Sequence, residues 1–242
     1  KVENVMYCAL EEEQAQLYAS LARKLREQVL ADVDKKGMAK SQMSILDALL
    51  KLRQICCHPK LLKLDMPGFN ANMPSGKFEA FKDMILDIVD EGHKVLVFSQ
   101  FVQMLQQIRN WLEMADIPFC YLDGSSKDRL EQVDRFNNTP SIRIFLISLK
   151  AGGTGLNLTS ADYVIHYDPW WNPAVESQAT DRAHRIGQSR QVFSYKLICQ
   201  NTVEEKILKL QEMKRGVAEA VIPGQDSWKS LTREDLEMLF EV

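Results

Sequence analysis

The sequence predicts an α/β fold, a parallel sheet with helices on both faces, preceded by a helical segment and followed by a helical tail. Three observations carry this. Short apolar runs, Val95–Phe98 without a break and Ile142–Ile147 with Arg143 within it, mark strands of the kind that parallel sheets cover on both sides. Stretches of helical period alternate with those runs, and that alternation builds a parallel sheet through right-handed crossovers. The composition is that of a packed globule: 45% hydrophobic and 26% charged among 242 residues, with 11 Gly and 8 Pro, excludes collagen-like, low-complexity and disordered readings. At about 150 residues per domain this length allows one large domain or one and a half.

The elements follow in order. Residues up to about 75 read as helical, with Leu17, Leu21 and Leu25 at i, i+4, i+8 and a second apolar-periodic stretch from Ser41 to Ile55. Between them lies a break at Lys35-Lys36-Gly37, and the second stretch ends before Pro59, since a residue preceding Pro is pushed out of the helical region. Asp65 to Pro74 holds two Pro, one Gly and two Asn and reads as a linker. Ser75 then caps a helix with apolar face Phe78, Phe81, Ile85, Ile88 and Val89, closed by Gly92. After strand Val95–Phe98 come helix Phe101–Met114, strand Phe119–Leu122, helix Lys127–Phe136, strand Ile142–Ile147 and strand Tyr163–Tyr167. A helix from Pro173 to about Gln188, strand Val192–Ile198 and a helix from Val203 complete the pattern. Thr202 and Glu205 would form a capping box there.

Composition bounds the function. No stretch approaches the ~18 apolar residues a membrane helix requires, so no membrane partner is expected. The formal charge of −3 argues against a general polyanion-binding surface and makes any nucleic-acid contact local. Cys8, Cys56, Cys57, Cys120 and Cys199 are too sparse for a disulfide scaffold and point to a reducing compartment. Cys56-Cys57-His58 lacks a second Cys/His pair and reads as packing rather than a zinc site. A start at Lys1, without Met, is expected of a chain either trimmed or cut from a longer protein.

In a parallel sheet ligands bind beyond the carboxyl ends of the strands, so the loops leaving strands matter. Four carry unusual residues: Ser99–Phe101, Asp123–Ser126, Ser148–Asn157 and Asp168–Asn172. Ser148–Asn157 has three Gly and two hydroxyl residues. It suits either a phosphate cradle or a tight structural turn, and matches neither the P-loop nor the dinucleotide fingerprint. Asn172-Pro173 starts a helix on which Gln178, Arg182 and Arg185 fall on one face at i, i+4, i+7, with Val175, Ala179, Ala183 and Ile186 as a separate apolar stripe. Two arginines in a row suit a polyphosphate; the bland alternative is a surface salt-bridge face with Asp181 pairing Arg185. Of the adjacent Trp170 and Trp171, one is expected to pack and the other to meet a partner.

The segments V-L-V-F-S-Q-F (Val95–Phe101), Y-L-D-G-S-S (Tyr121–Ser126), I-S-L-K-A-G-G-T-G-L-N-L (Ile147–Leu158), D-P-W-W-N-P (Asp168–Pro173) and Q-A-T-D-R-A-H-R-I-G-Q (Gln178–Gln188) resemble motifs IV to VI of the Swi/Snf-type ATPases, superfamily 2 double-stranded DNA translocases. L-R-Q-I-C-C-H-P (Leu52–Pro59) is similar to the family's segment before the second lobe. The resemblance covers essentially the whole chain. It implies a RecA-like C-terminal lobe over residues 75–201, a helical insert and connection over 1–74 and a helical tail over 202–242. It also implies Arg185 as arginine finger, Arg182 as its companion on the phosphates and Gln178 orienting the γ-phosphate end. Gly155 and Asn157 would approach the nucleotide, and Ser99, Gln100, Gly124, Ser125, Ser148 and Trp171 would face the DNA backbone. The implied cofactors are ATP and Mg2+, with the Mg2+ ligands on the upstream first lobe. The implied partners are duplex DNA, that first lobe and a DNA-bound protein target. Gln200-Asn201 stands where the family commonly has Gly, which should change only a turn. The fragment alone is expected to be inactive, the full chain a DNA-dependent ATPase. A non-catalytic DNA- or protein-binding module is the alternative. The compact motif spacing and short tail lean toward a bacterial, hence cytoplasmic, protein; a eukaryotic one would be nuclear.

Overall fold

A computed structural model describes residues 1–63, 69–70, 72–153, 155–185, 187–218 and 230–242. The chain forms two compact units, one of residues 1–6 and 80–197 and one of residues 7–79 and 198–242. Each is described in turn.

The first unit is the sheet. Its strands are β1 (Val2–Cys8), β2 (Val95–Ser99), β3 (Phe119–Leu122), β4 (Ile144–Ser148), β5 (Tyr163–His166) and β6 (Phe193–Cys199). They lie in the order β1-β6-β5-β2-β4-β3. The β2–β4, β2–β5, β3–β4 and β5–β6 pairs are parallel. The central strands β2 and β4 are buried at every position, which is why their sequences are unbroken apolar runs. One face packs through Phe98, Phe136, Phe145, Leu158 and Ala183, with Phe136 edge-on to Phe145 at 5.2 Å. On the other face Phe81 meets Tyr167 at 5.3 Å and Trp111 at 6.4 Å. The helices of this unit are the body of α3 (Gly76–Asp90), α4 (Val102–Met114), α5 (Arg129–Asn138) and α6 (Pro173–Thr180). Ser75 caps α3, its hydroxyl accepting from the Phe78 N–H at 3.2 Å, and Gly92 ends it at φ 85°, the left-handed region glycine enters without strain.

The second unit is helical, built on α1 (Glu12–Lys36), α2 (Gln42–Cys57), α7 (Val203–Ala218) and α8 (Arg233–Leu239). Gln14, fully buried, donates to the Ile55 carbonyl at 2.8 Å and accepts from the Gly76 N–H at 3.1 Å. The Tyr18 hydroxyl accepts from the Val203 N–H at 2.7 Å. Lys77 and Glu204, both fully buried, pair at 2.6 and 2.8 Å. Among the described residues Cys56, Cys199 and Glu204 offer ligand atoms within 4.8 Å of one another, and the Lys77 ammonium bonds both oxygens of that carboxylate. Cys57 and His58 do not belong to this group; His58 accepts from the Lys60 N–H and packs edge-on to Phe78 at 5.5 Å.

The structure corrects the sequence reading at three places. Residues 2–8 form a strand where a helix was predicted, because their partner β6 lies some 190 positions along the chain and leaves no local trace. Helix α6 stops at Thr180, not near Gln188. Asp181 closes it with its N–H on the Ser177 and Ala179 carbonyls, and Arg182 and Ala183 continue in tight turns, bonding Ala179 and Thr180. The row Gln178, Arg182, Arg185 therefore does not exist as one helix face. The capping box is displaced as well: the Thr202 hydroxyl accepts from the Glu204 N–H, and Glu205 accepts from the N–H of Asn201. Asn201 itself has φ 56°, the conformation a Gly would adopt freely and Asn tolerates. Of the predicted linker, residues 65–68 and 71 lie outside the described residues, and the stripe position Ile186 does too.

Candidate functional site

Because the strands are parallel, the loops leaving β2, β3, β4 and β5 open at one edge of the sheet. The β2 and β5 loops are tied by Asp168. Buried to 1% exposure, its carboxylate accepts from the Ser99 hydroxyl and from the Gln100 N–H at 3.2 Å. Ser99, fully buried, also accepts from the Phe101 N–H at 3.0 Å, and Ser148 accepts from the Ala151 N–H at 3.2 Å. Both hydroxyls, which the resemblance would turn toward DNA, are engaged inside the protein and shape the loops instead. Gln100 is half-buried at the rim, with Nε2 3.5 Å from the Pro169 carbonyl.

The tryptophan loop is held from below. Buried Glu176 accepts from the Trp170 N–H at 2.7 Å and pairs with Lys196 at 2.6 Å. Trp170 packs against the core and Trp171 is half-buried beside it. Asn172 caps α6, accepting from the Ala174 N–H at 2.9 Å, with Pro173 at the first helical position. At the outer end of the edge, the Asp123 carboxylate accepts from the N–H and hydroxyl of Ser125 and from the Tyr121 hydroxyl. These bonds hold the Asp123 carboxyl below its ordinary pKa, the Ser125 hydroxyl foremost, and leave Gly124 and Ser125 exposed at the tip.

The glycine-bearing loop after β4 begins with a 3-10 turn at Ala151–Gly153. A Cβ on Gly152 would sit 3.0 Å from the Phe98 ring, so close backbone approach fixes that residue. The Arg129 guanidinium bonds the Ala151 carbonyl. Gly155 lies exposed at φ 71°. Asn157 is exposed, and its carbonyl accepts from Asn137 at 3.0 Å.

Although the helix face is lost, the turn that carries the arginines is still bonded to this loop. The Leu158 N–H donates to the Arg182 carbonyl at 3.1 Å, and the Gln188 side chain bonds the carbonyls of Thr159 and Ala161. Arg182 is 7% exposed; burial pushes its pKa down, and the like charge of Arg185 adds to this against the pull of Asp181. A guanidinium so placed stays charged and gains strength toward an anion as water is excluded. Arg185 and Gln178 are exposed, Gln178 one position before Ala179, which packs with Ala151 and Leu156. Asp168, Glu176 and Gln188 are the residues sequence reasoning passed over. Asp168 and Gln188 lay inside motifs already singled out and Glu176 between two of them, and a carboxylate directly after a buried strand was the available signal for Asp168.

The chain matches the helicase conserved C-terminal domain over residues 76–187 and the SNF2-related domain over residues 1–61. It is 38% identical over 244 residues to a putative ATP-dependent helicase/translocase, YwqA, of Bacillus subtilis, covering 99% of this chain and 26% of that one. The chain spans 19% to 26% of the length of such curated relatives. Among solved structures, the Sulfolobus solfataricus SWI2/SNF2 ATPase C-terminal domain superposes with a TM-score of 0.74 at 38% identity, covering 98% of this chain and 97% of that one. The SWI2/SNF2 ATPase core of the same organism in complex with dsDNA superposes at 0.79 and 39% identity, covering 100% of this chain and 50% of that one.

Proposed function

This chain belongs to the SWI2/SNF2-type ATPases, as their C-terminal helicase lobe, and from that premise we propose that it is the second half of an ATP-driven double-stranded DNA translocase. One observation carries the reading: the turn holding Arg182 and Arg185 is bonded to the glycine-bearing loop at the carboxyl edge of the sheet, so cationic and backbone donors converge where a phosphate chain is met.

ATP supplies the transferable phosphoryl group, and the residues here fit its phosphates. Arg185, exposed, is the arginine finger that stabilises negative charge spreading over the equatorial oxygens during transfer. Arg182, partly desolvated behind it, adds a second fixed charge, and Gln178 orients the γ-phosphate end. Gly155 and Asn157 lie against the nucleotide. The carboxylates of this edge are bonded within the protein, Asp168 to Ser99 and Gln100, Asp123 to Ser125 and Tyr121, and the resemblance to the family would put the Mg2+ ligands on the first lobe. The exposed rim, Gln100, Gly124, Ser125 and Trp171, touches the DNA backbone, contacts that position without reading sequence; Ser99 and Ser148 support them from inside. Closing the two lobes brings the arginines to the phosphates and opening them releases the strand, one step per cycle. The relatives include bacterial and fungal proteins, the latter named chromatin-remodelling ATPase INO80. The compartment follows the DNA: cytoplasm in a bacterium, nucleus in a eukaryote.

The test is Arg185→Ala in the full-length protein. DNA-stimulated ATP hydrolysis should fall about 10³-fold or more with duplex binding retained; a variant that hydrolyses ATP like the parent would refute the assignment.

A further inference from the structure

We infer that Gln188 is a positioning residue for the arginine pair: its carboxamide pins the turn that carries Arg182 and Arg185 to the glycine-bearing loop and so sets where both guanidiniums stand. The inference rests on the role proposed above for those arginines. Because α6 ends at Thr180, no helix fixes the arginines, and the hydrogen bonds of the turn must do it. Gln188 Nε2 donates to the carbonyls of Thr159 at 2.8 Å, Ala161 at 2.9 Å and Ala183 at 3.2 Å, while its Oε1 accepts from the Arg190 N–H at 3.0 Å. Two of those carbonyls belong to the loop after β4 and the third to the arginine turn, so one side chain staples the two segments.

The chemistry is directional. An amide nitrogen offers two hydrogens, here shared among three carbonyls, and a flipped carboxamide would set its oxygen against all three. The backbone is prepared for this reach. The Gln188 N–H donates to the Arg185 carbonyl at 3.0 Å, and Gly187 reverses the chain at φ 102° with open space where a Cβ would stand. Glycine is needed there for its conformation and not for packing. The Leu158–Arg182 backbone bond is the second tie between the segments.

The experiment uses the full-length protein and four variants: Gln188→Met, which keeps the volume without donors, Gln188→Glu, isosteric but turning acceptors onto the three carbonyls, Arg185→Ala, and Arg185→Ala with Gln188→Met. Steady-state ATP hydrolysis with saturating duplex DNA, DNA affinity and thermal unfolding are measured for each. Misplacing a catalytic group by about 1 Å costs on the order of 10²-fold, so both Gln188 single variants should lose about that much kcat while KM for ATP, DNA affinity and Tm stay near the parent's. Gln188→Met should cost much less in the Arg185→Ala background than in the parent, because only Arg182 is then left for Gln188 to place. Parental kcat in the Gln188 variants beside an inactive Arg185→Ala would overturn the positioning role and leave the arginine assignment standing. An active Arg185→Ala would remove both. A Met variant that unfolds, or a Gln188→Met loss as large in the Arg185→Ala background as in the parent, would assign Gln188 to the fold alone and overturn the inference too.

Discussion

His166, the last residue of β5, is 2% exposed, stacks on Phe98 at 5.8 Å and shares a 2.9 Å hydrogen bond between Nε2 and the Thr180 hydroxyl. Thr180 in turn donates to the Glu176 carbonyl at 3.2 Å, so the imidazole sits beneath the helix that follows the tryptophan loop. Burial pushes its pKa down to about 3, with Lys196 and Lys1 adding to the effect. A histidine whose folded pKa lies below its unfolded value binds fewer protons when folded. Its contribution is complete above the unfolded pKa near 6.5 and is lost as pH falls through that value toward 3. Between pH 6.5 and 5 the protein should lose about 2 kcal/mol from this group. Urea unfolding across that range, compared with His166→Gln, measures it: the variant should show a flatter acid limb, and equal slopes would refute the cause.

At the scale of elements, Gly76 shows how tightly the start of α3 is seated. A Cβ there would lie 1.9 Å from the Ala9 carbonyl oxygen, and the Gly76 N–H bonds Gln14. Gly76→Ala must force helix and strand end apart, and should cost about 2–4 kcal/mol, read as a lowered urea midpoint with unchanged slope. The elements that could be read from the sequence were those whose cause is local. Strands β2 and β4 are apolar up to their final serines, and Ser75, Gly92 and Asn172-Pro173 punctuate helices by their own backbone chemistry. What could not be read was decided from a distance. Strand β1 exists because β6 offers it an edge. Helix α6 gives way at Asp181 to tight turns, and beyond them the carbonyl of Arg182 is held by Leu158 and that of Ala183 by Gln188. Periodicity alone carried the apolar stripe on through Ala183. The candidate site was legible to the same degree: its segments were found, but which serines face inward and which residues brace the arginines depended on tertiary contacts.

For the molecule as a whole, the net charge of −3 and the proposed reading of this lobe as half of a nucleotide site lead to one expectation. The 242-residue chain by itself should show negligible ATPase activity, and its duplex affinity should be weak and fall steeply with salt. Phosphate release with and without DNA, and filter binding across a salt series, check both; measurable turnover by the pure lobe would contradict the reading. The two-unit architecture also orders events during synthesis. The helical unit is closed by bonds such as Val203 to Tyr18, 185 positions apart, while residues 80–197 between its halves build the sheet. At about 5–20 residues per second that stretch takes roughly 6–24 s to emerge. The sheet unit is therefore first to finish, and the apolar faces of α1 and α2 are the surface a nascent-chain chaperone must shield in the interval.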